Sequence, residues 1–273
     1  MAEFMNDFLA ESSEEVITLD NVMLTYEAEH SVNALEDIHI KINEGEFVCL
    51  LGPSGCGKST LLKIIAGFIK PTKGTATMSG TPINGPDWHR GVVFQQPPLY
   101  PWLNVEDNVK FGLKMRKIPS RIGKETVNEY LEKVGLLEFG KNRIYELSGG
   151  MRQRVAIARV LVNNPKVLLM DEPFGALDAL TREQMQNLIR KIWWETGKTI
   201  LFITHDVDEA LSLGTRVLIM SKRPGRIIKE FKVNFTKSIT GENSDRTRYT
   251  NEFQELREQI LNLINKTDAT YSI

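Results

Sequence analysis

Residues 46–69 read "EFVCLLGPSGCGKSTLLKIIAGFI". A short apolar run is followed by a glycine-punctuated loop and then by apolar residues at helical spacing. Gly52 to Ser59 satisfy the pattern G-x-x-x-x-G-K-[ST], in the strand-before, helix-after context that the pattern needs. Glycines let the backbone wrap a chain of phosphates with its N–H groups turned inward, and the helix that follows adds the positive end of its dipole. Gly52, Pro53, Ser54, Gly55, Cys56 and Gly57 form the candidate cradle. Lys58 reaches the terminal phosphates, Ser59 is placed to ligate Mg²⁺, and Thr60 follows. The alternative, a glycine-rich turn with an exposed lysine, does not account for the flanking strand and helix.

The remaining pattern agrees with an α/β chain. "VITLDNVMLTY" and "VNALEDIHIKI" alternate apolar and polar residues and read as antiparallel strands with one wet face. "GTATMSGTPI" reads as a further hairpin. "KVLLMDEP" and "TILFITHD" are continuous apolar runs, expected for strands covered on both faces. Between them "TREQMQNLIRKIWWETG" is a helix closed by glycine. A helical pattern covers Pro119 to Tyr145, another Met151 to Leu161, and another "VDEALSLG"; "RVLIMS" and "GRIIKEFKV" close as a strand pair. The expected architecture is a mostly parallel core sheet covered by helices, with an antiparallel β subdomain and a helical subdomain at about 97–160. The domain spans about 16–232. Residues 1–15 form a flexible leader, and 233–273 a polar linker and an amphipathic helix carrying Phe253, Leu256, Ile260 and Ile264.

Bulk properties narrow the function classes. The net charge of −1 provides no electrostatic drive toward nucleic acid or membrane. Cys49 and Cys56 are the only cysteines, lack metal-ligand spacing, and suit a reducing compartment. The apolar runs are too short to span a bilayer, and the acidic start does not read as a signal peptide. Glycosylation acceptor patterns at Asn234 and Asn265 read as chance matches.

Several polar residues sit where open parallel sheets bind ligands, beyond the carboxyl ends of strands. Asp171 and Glu172 end "VLLMDEP". As strand neighbours they point to opposite sides, so Asp171 can hold Mg²⁺ while Glu172 polarises a water beside the γ-phosphate. His205 ends "TILFITHD", placed for γ-phosphate sensing. In "VVFQQ", Gln95 and Gln96 compete for a role on Mg²⁺ or the water, and spacing does not choose between them. Tyr26, read alone, is a strand-face tyrosine.

One stretch, "LSGGMRQR", does not fit a single-chain phosphate site. Ser148, Gly149 and Gly150 directly precede a helix, so their amides and hydroxyl are available to an anion. A nucleotide held at Lys58 of the same chain cannot easily use this second helix start. In a head-to-tail pair, each chain's "LSGG" closes over the other's nucleotide.

"LSGGMRQR" resembles the signature of ABC-transporter ATPases, and the order of all the motifs agrees over about Val16 to Lys232. The resemblance implies an ATP- and Mg²⁺-dependent ATPase dimer with both sites at its interface. It makes Tyr26 the aromatic that stacks on adenine, favours Gln95 over Gln96, and assigns Asp171 and Glu172 as metal-holding acid and catalytic base. Gly175 to Asp178 ("GALD") become the loop that couples the two sites, and His205 the switch histidine. Ser59, Gln95 and Asp171 form the implied metal set. "FQQPPLYPWLNVEDNV" and "MSKRPGRI" are similar to the importer branch that serves nitrate, sulfonates, taurine and bicarbonate. Leu99-Tyr100 replaces that branch's usual Leu-Leu, and "LGTRV" its "LADRV". The implied partners are a second ATPase subunit, a transmembrane permease and, indirectly, a substrate-binding protein, with no nucleic acid. The implied location is the cytoplasmic face of the membrane. A soluble ABC ATPase acting on nucleic acid or ribosomes is the alternative; the coiled-coil insertion, tandem cassettes or basic surface usual there are not in this sequence. Tyr100, Trp102 and Phe111 form an aromatic patch read either as a groove for a permease helix or as local packing. The tail after Lys232 is too short for a regulatory β-domain.

Overall fold

Alternation in the first two apolar–polar segments becomes two long strands, β1 (Glu15–Tyr26) and β2 (Val32–Asn43). They pair antiparallel with Ile17 opposite Ile42 and Leu19 opposite Ile40, so one face of the pair carries the buried side chains. The other edge of β1 pairs antiparallel with β4 (Lys73–Met78), which continues into β5 (Thr81–Pro82), giving the sheet order β2-β1-β4-β5. The computed structural model describes residues 14–27, 31–175, 177–238 and 250–269. The expected leader therefore lies outside the described residues except Glu14 and Glu15, as does most of the polar linker.

The chain divides into two compact units, Met1–Asp87 with Arg190–Ile273, and Trp88–Ile189. In the first, β3 (Phe47–Leu51) is buried along its whole length. It runs parallel to β8 (Thr199–Ile203) on one side and β9 (Arg216–Met220) on the other; β10 (Ile227–Lys232) closes antiparallel on β9. Burial on both faces is why these strands read as continuous apolar runs. Trp193, fully buried, presents a ring edge to Phe47 at 6.0 Å and donates its indole N–H to Gly45 O at 2.8 Å. Helix α1 (Lys58–Ala66) follows β3 and ends at Gly67. The C-terminal helix α8 (Asn251–Ala269) packs against α6 (Val207–Leu213), burying Phe253 and Ile260. Phe253 lies on Phe235 of the short α7 (Phe235–Ser238), and Arg257 Nε donates to Asp208 Oδ1 at 2.8 Å.

In the second unit β6 (Arg90–Val93) runs parallel to β7 (Val167–Asp171). Three helices, α2 (Val105–Met115), α3 (Ser120–Lys133) and α4 (Gly149–Leu161), share a core that includes Val109, Val127, Leu131 and Val155. The pattern expected to be helical from Pro119 to Tyr145 is not one helix. It stops at Lys133, where Gly135 turns the chain at φ 66°, and continues as 3₁₀ turns Leu137–Phe139 and Ile144–Glu146. The boundary between units falls within α5 (Ala179–Thr196), which ends before Gly197 at φ 60°. Helix α2 was not read from the sequence; its start is fixed by Asn104, whose side chain accepts the Asp107 amide hydrogen at 2.7 Å.

Candidate functional site

The phosphate-loop residues lie between β3 and α1. Lys58 is the first residue of α1, and its largely buried side chain folds back across the loop. The ammonium donates to Gly52 O at 2.7 Å and Pro53 O at 2.9 Å, with Cys56 Sγ at 3.9 Å. Ser59 and Thr60 occupy the first turn of α1, where backbone amides have no acceptor within the helix. Burial pushes the Cys56 thiol above its ordinary pKa, against a partial pull downward from Lys58. Tyr26, the last residue of β1, is 40% exposed, with its phenol oxygen 3.3 Å from Thr60 Oγ1. The tyrosine that alone reads as an ordinary strand residue is therefore a flat, open ring beside the phosphate loop.

His205 stands exposed just past β8. The turn that carries it is fixed from both sides. Thr204 Oγ1 accepts the Asp206 amide hydrogen at 3.0 Å and donates to the buried Glu209 carboxylate. Asp206 Oδ1 in turn accepts the Glu209 amide hydrogen at 3.1 Å, capping α6. The sequence reading missed Thr204 and Glu209; "THDVDEA" holds the acid but no signal that it bonds backward.

In the second unit, Asp171 is the last residue of β7, but Glu172 lies beyond the strand with φ 43°. Strand alternation therefore does not set their directions, as the sequence reading supposed; the left-handed backbone of Glu172 aims its side chain instead. Gln95 lies beyond β6, which ends at Val93. A Cβ placed on Gly175 would stand 3.5 Å from Gln95 Nε2 and 4.0 Å from Glu172 Oε2. The glutamine and the glutamate thus converge on one glycine. Asp178 Oδ1 accepts the Thr181 amide hydrogen at 3.0 Å, and the Thr181 backbone and hydroxyl hold its carboxyl below the usual carboxylate range.

Ser148 is the N-cap of α4, its hydroxyl oxygen accepting the Met151 amide hydrogen at 3.2 Å. The helix starts at Gly149, two residues earlier than the sequence pattern indicated. Ser148 and Gly149 are exposed. The amides of Gly149 and Gly150 occupy the first two helical positions, and the Ser148 hydroxyl hydrogen remains a donor. A Cβ on Gly150 would lie 2.5 Å from Thr181 Cγ2, so the start of α4 and the start of α5 approach closely.

The aromatic patch is a cluster of tilted rings. Tyr100 lies 4.5 Å from Phe111 and 5.4 Å from Trp102, between ring centroids. Asn108, fully buried, holds the preceding loop by accepting the Tyr100 amide hydrogen at 2.8 Å and donating to Tyr100 O at 3.1 Å. Trp102 is 68% exposed. It borders a groove of about 630 Å³ lined also by Phe111, Pro119, Lys110, Lys114 and Lys117. Phe111 and Tyr100 pack locally, as one of the two readings expects, and Trp102 faces outward over the groove.

The family pattern described as "ABC transporter" matches residues 35–175, from the middle of β2 to the turn after Glu172. The chain belongs to the ABC transporter family. It is an ABC transporter ATPase, and the ABC match covers the phosphate loop, Gln95, the "LSGG" start and the two acids. The chain is 49% identical to the taurine import ATP-binding protein TauB of Roseobacter denitrificans over 250 residues, 91% of this chain and 93% of that one. It is 47% identical to the TauB of Escherichia coli over 240 residues, 88% of this chain and 94% of that one. Among solved structures, a dimeric ATP-binding cassette in a post-hydrolysis state bound to ADP and Pi, MJ0796, shares 36% identity. Its TM-score is 0.72, covering 80% of this chain and 99% of that one. The cbiO1 cassette of Clostridium perfringens, part of a cbiONQ complex, gives a TM-score of 0.74 at 28% identity, covering 91% of this chain and 99% of that one. The antiparallel sheet, the parallel strand pairs and the antiparallel β10 are thus an ABC ATPase fold, as expected.

Proposed function

We propose that the chain is the ATP-hydrolysing subunit of an importer for taurine or a related sulfonate, working as a head-to-tail pair beneath a separate permease. The observation that carries the paired mechanism is the helix start at Ser148–Gly149–Gly150, exposed at Ser148 and Gly149, in a chain whose Lys58 loop already supplies one anion site. The cargo assignment is supported by relatives named for taurine import along nine-tenths of the chain.

Each residue's part follows from its chemistry. The loop amides and Lys58 hold the β- and γ-phosphates, exchanging the Lys58 bonds to Gly52 O and Pro53 O for phosphate oxygens. Tyr26 stacks its open face on adenine. Glu172 orients and accepts a proton from the water that attacks the γ-phosphorus in line, with the Gln95 amide beside it. His205 and the partner copy's "LSGG" start donate to the γ-phosphate oxygens as charge builds on them. Within each chain, Asp178 and Thr181, next to Gly150, link its own "LSGG" start to the turn after Glu172. Ser59, Gln95 and Asp171 offer only oxygen donors, the hard set that suits Mg²⁺ shared with phosphates. Mg²⁺ would neutralise charge between the β- and γ-phosphates.

The groove beside Trp102, with its three lysines, suits a short permease helix of apolar and acidic character. No helix among the described residues is long and apolar enough to cross a membrane, and attachment to the cytoplasmic face through the permease is part of the same proposal. The test of the paired mechanism is gel filtration of the Glu172→Gln variant. It elutes as a dimer with ATP and as a monomer without it; a monomer in both conditions refutes the paired site.

A further inference from the structure

The stretch "MSKRPGRI" distinguishes this sequence's branch, yet the ATPase cycle above leaves it without a task. In the structure its turn, Ser221 to Arg226, lies directly behind the phosphate loop. Arg223 Nη2 donates to Gly55 O at 3.1 Å. Gly225 comes so close that a Cβ there would stand 2.3 Å from Cys56 O. These are consecutive peptide units of the loop: Arg223 holds the first by its carbonyl, and Gly225 packs closely against the carbonyl of the second.

A trans peptide carries its C=O and the following N–H in opposite directions. With Gly55 C=O turned toward Arg223, the Cys56 N–H turns away from it, into the loop. There it lies 3.4 Å from Pro53 O, the acceptor that Lys58 also uses. With Cys56 C=O laid against Gly225, the Gly57 N–H turns inward by the same rule. The turn therefore sets the aim of two adjacent amide donors in the cradle.

The turn can do this because it is anchored. Ser221 Oγ accepts the Arg226 amide hydrogen at 3.0 Å and lies 3.1 Å from Pro224 O, to which it donates. Gly225 donates its amide hydrogen to Ala34 O and accepts that of Glu36, both at 3.0 Å, which ties the turn to β2. Arg226 pairs with Glu36 at 2.7 Å. Preorganised donors are worth more than donors that must be turned on binding.

We propose that Arg223 and Gly225 are positioning residues for the nucleotide, acting through the Gly55–Cys56 and Cys56–Gly57 peptides. The inference rests on the reading of the Lys58 loop as the seat of ATP. Its test is steady-state ATP hydrolysis and fluorescent ADP binding by the purified full-length chain carrying Arg223→Ala, Arg223→Lys or Gly225→Ala. Arg223→Ala raises KM for ATP and the Kd for ADP roughly five- to tenfold, the scale of one net hydrogen bond, with kcat within about twofold. Arg223→Lys recovers most of the loss. Gly225→Ala raises KM further, because the added methyl displaces the Cys56 carbonyl. If Gly225→Ala does not fold, the arginine pair decides. Wild-type KM and Kd in Arg223→Ala, in a preparation where Lys58→Ala abolishes binding, overturn the inference and leave the ATP reading standing. Equal losses in Arg223→Lys and Arg223→Ala with a fallen Tm also overturn it.

Discussion

The Ser148 hydroxyl and the Met151 amide are joined at 3.2 Å, so the serine proposed to reach the partner's ATP also caps its own helix. Ser148→Ala removes both roles. The lost cap costs about 1 kcal/mol, read as a lower Tm, and the lost donor lowers turnover on the order of tenfold or more at unchanged ADP affinity. Ser148→Asp separates the effects: it restores the cap and the Tm but places a like charge at the phosphate, and turnover stays low. Normal turnover in Ser148→Ala would remove the serine from the site.

Glu172 is held in a left-handed backbone conformation, which disfavours non-glycine residues and costs about 1 kcal/mol or more. Strain kept at a carboxylate beside Gln95 supports a chemical role for it. Glu172→Gln lowers the hydrolysis rate by about 10²–10⁴-fold while ATP still binds. Substantial residual hydrolysis would assign the base elsewhere. Glu172→Gly, by contrast, relieves the strain, and its Tm rises even as turnover is lost.

Trp102 over the three-lysine groove gives a prediction independent of catalysis. Trp102→Ala reduces co-purification with the permease, and Lys110→Glu with Lys114→Glu reduces it further if the docking helix is acidic. ATP binding is unchanged in both, since Trp102 touches Tyr100 and borders the groove. Undiminished co-purification of Trp102→Ala would exclude the groove as the docking surface.

Cys56 supplies a pH signature. Burial raises its pKa in the folded chain, so the thiolate forms at higher pH than in the unfolded chain, where it forms near about 8.5. The linked stability is fully present below that unfolded value. It falls as pH rises from there through the folded pKa. Alkylation by iodoacetamide at pH 8 is accordingly much slower in the folded protein than in urea, by mass spectrometry. Equal rates would contradict a sealed thiol.

What the sequence disclosed, and what it hid, divides along sequence separation. Lys58, Ser59 and Thr60 were legible because strand, loop and helix lie within a stretch whose spacing is itself the chemistry. Ser148 was legible as a helix start, though its own capping bond was not. Glu172 was read as a strand residue, whereas it lies beyond β7 in a left-handed backbone that has no sequence signal in a non-glycine residue. The end of α3 at Lys133 was hidden because apolar spacing carries on through turns that are not helical. Arg223 and Gly55 are 168 residues apart; only the parallel placing of β9 beside β3 brings them together, and no local pattern encodes that.

The central claim is that this chain converts ATP hydrolysis into import of a sulfonate. The most direct measurement is ATP hydrolysis by the chain assembled with its permease in liposomes, with the cognate binding protein loaded in turn with taurine, nitrate or bicarbonate. Taurine-loaded binding protein stimulates hydrolysis, the other two anions do not, and Glu172→Gln shows no stimulation. Hydrolysis that ignores taurine, or that proceeds equally without the permease, would contradict the claim.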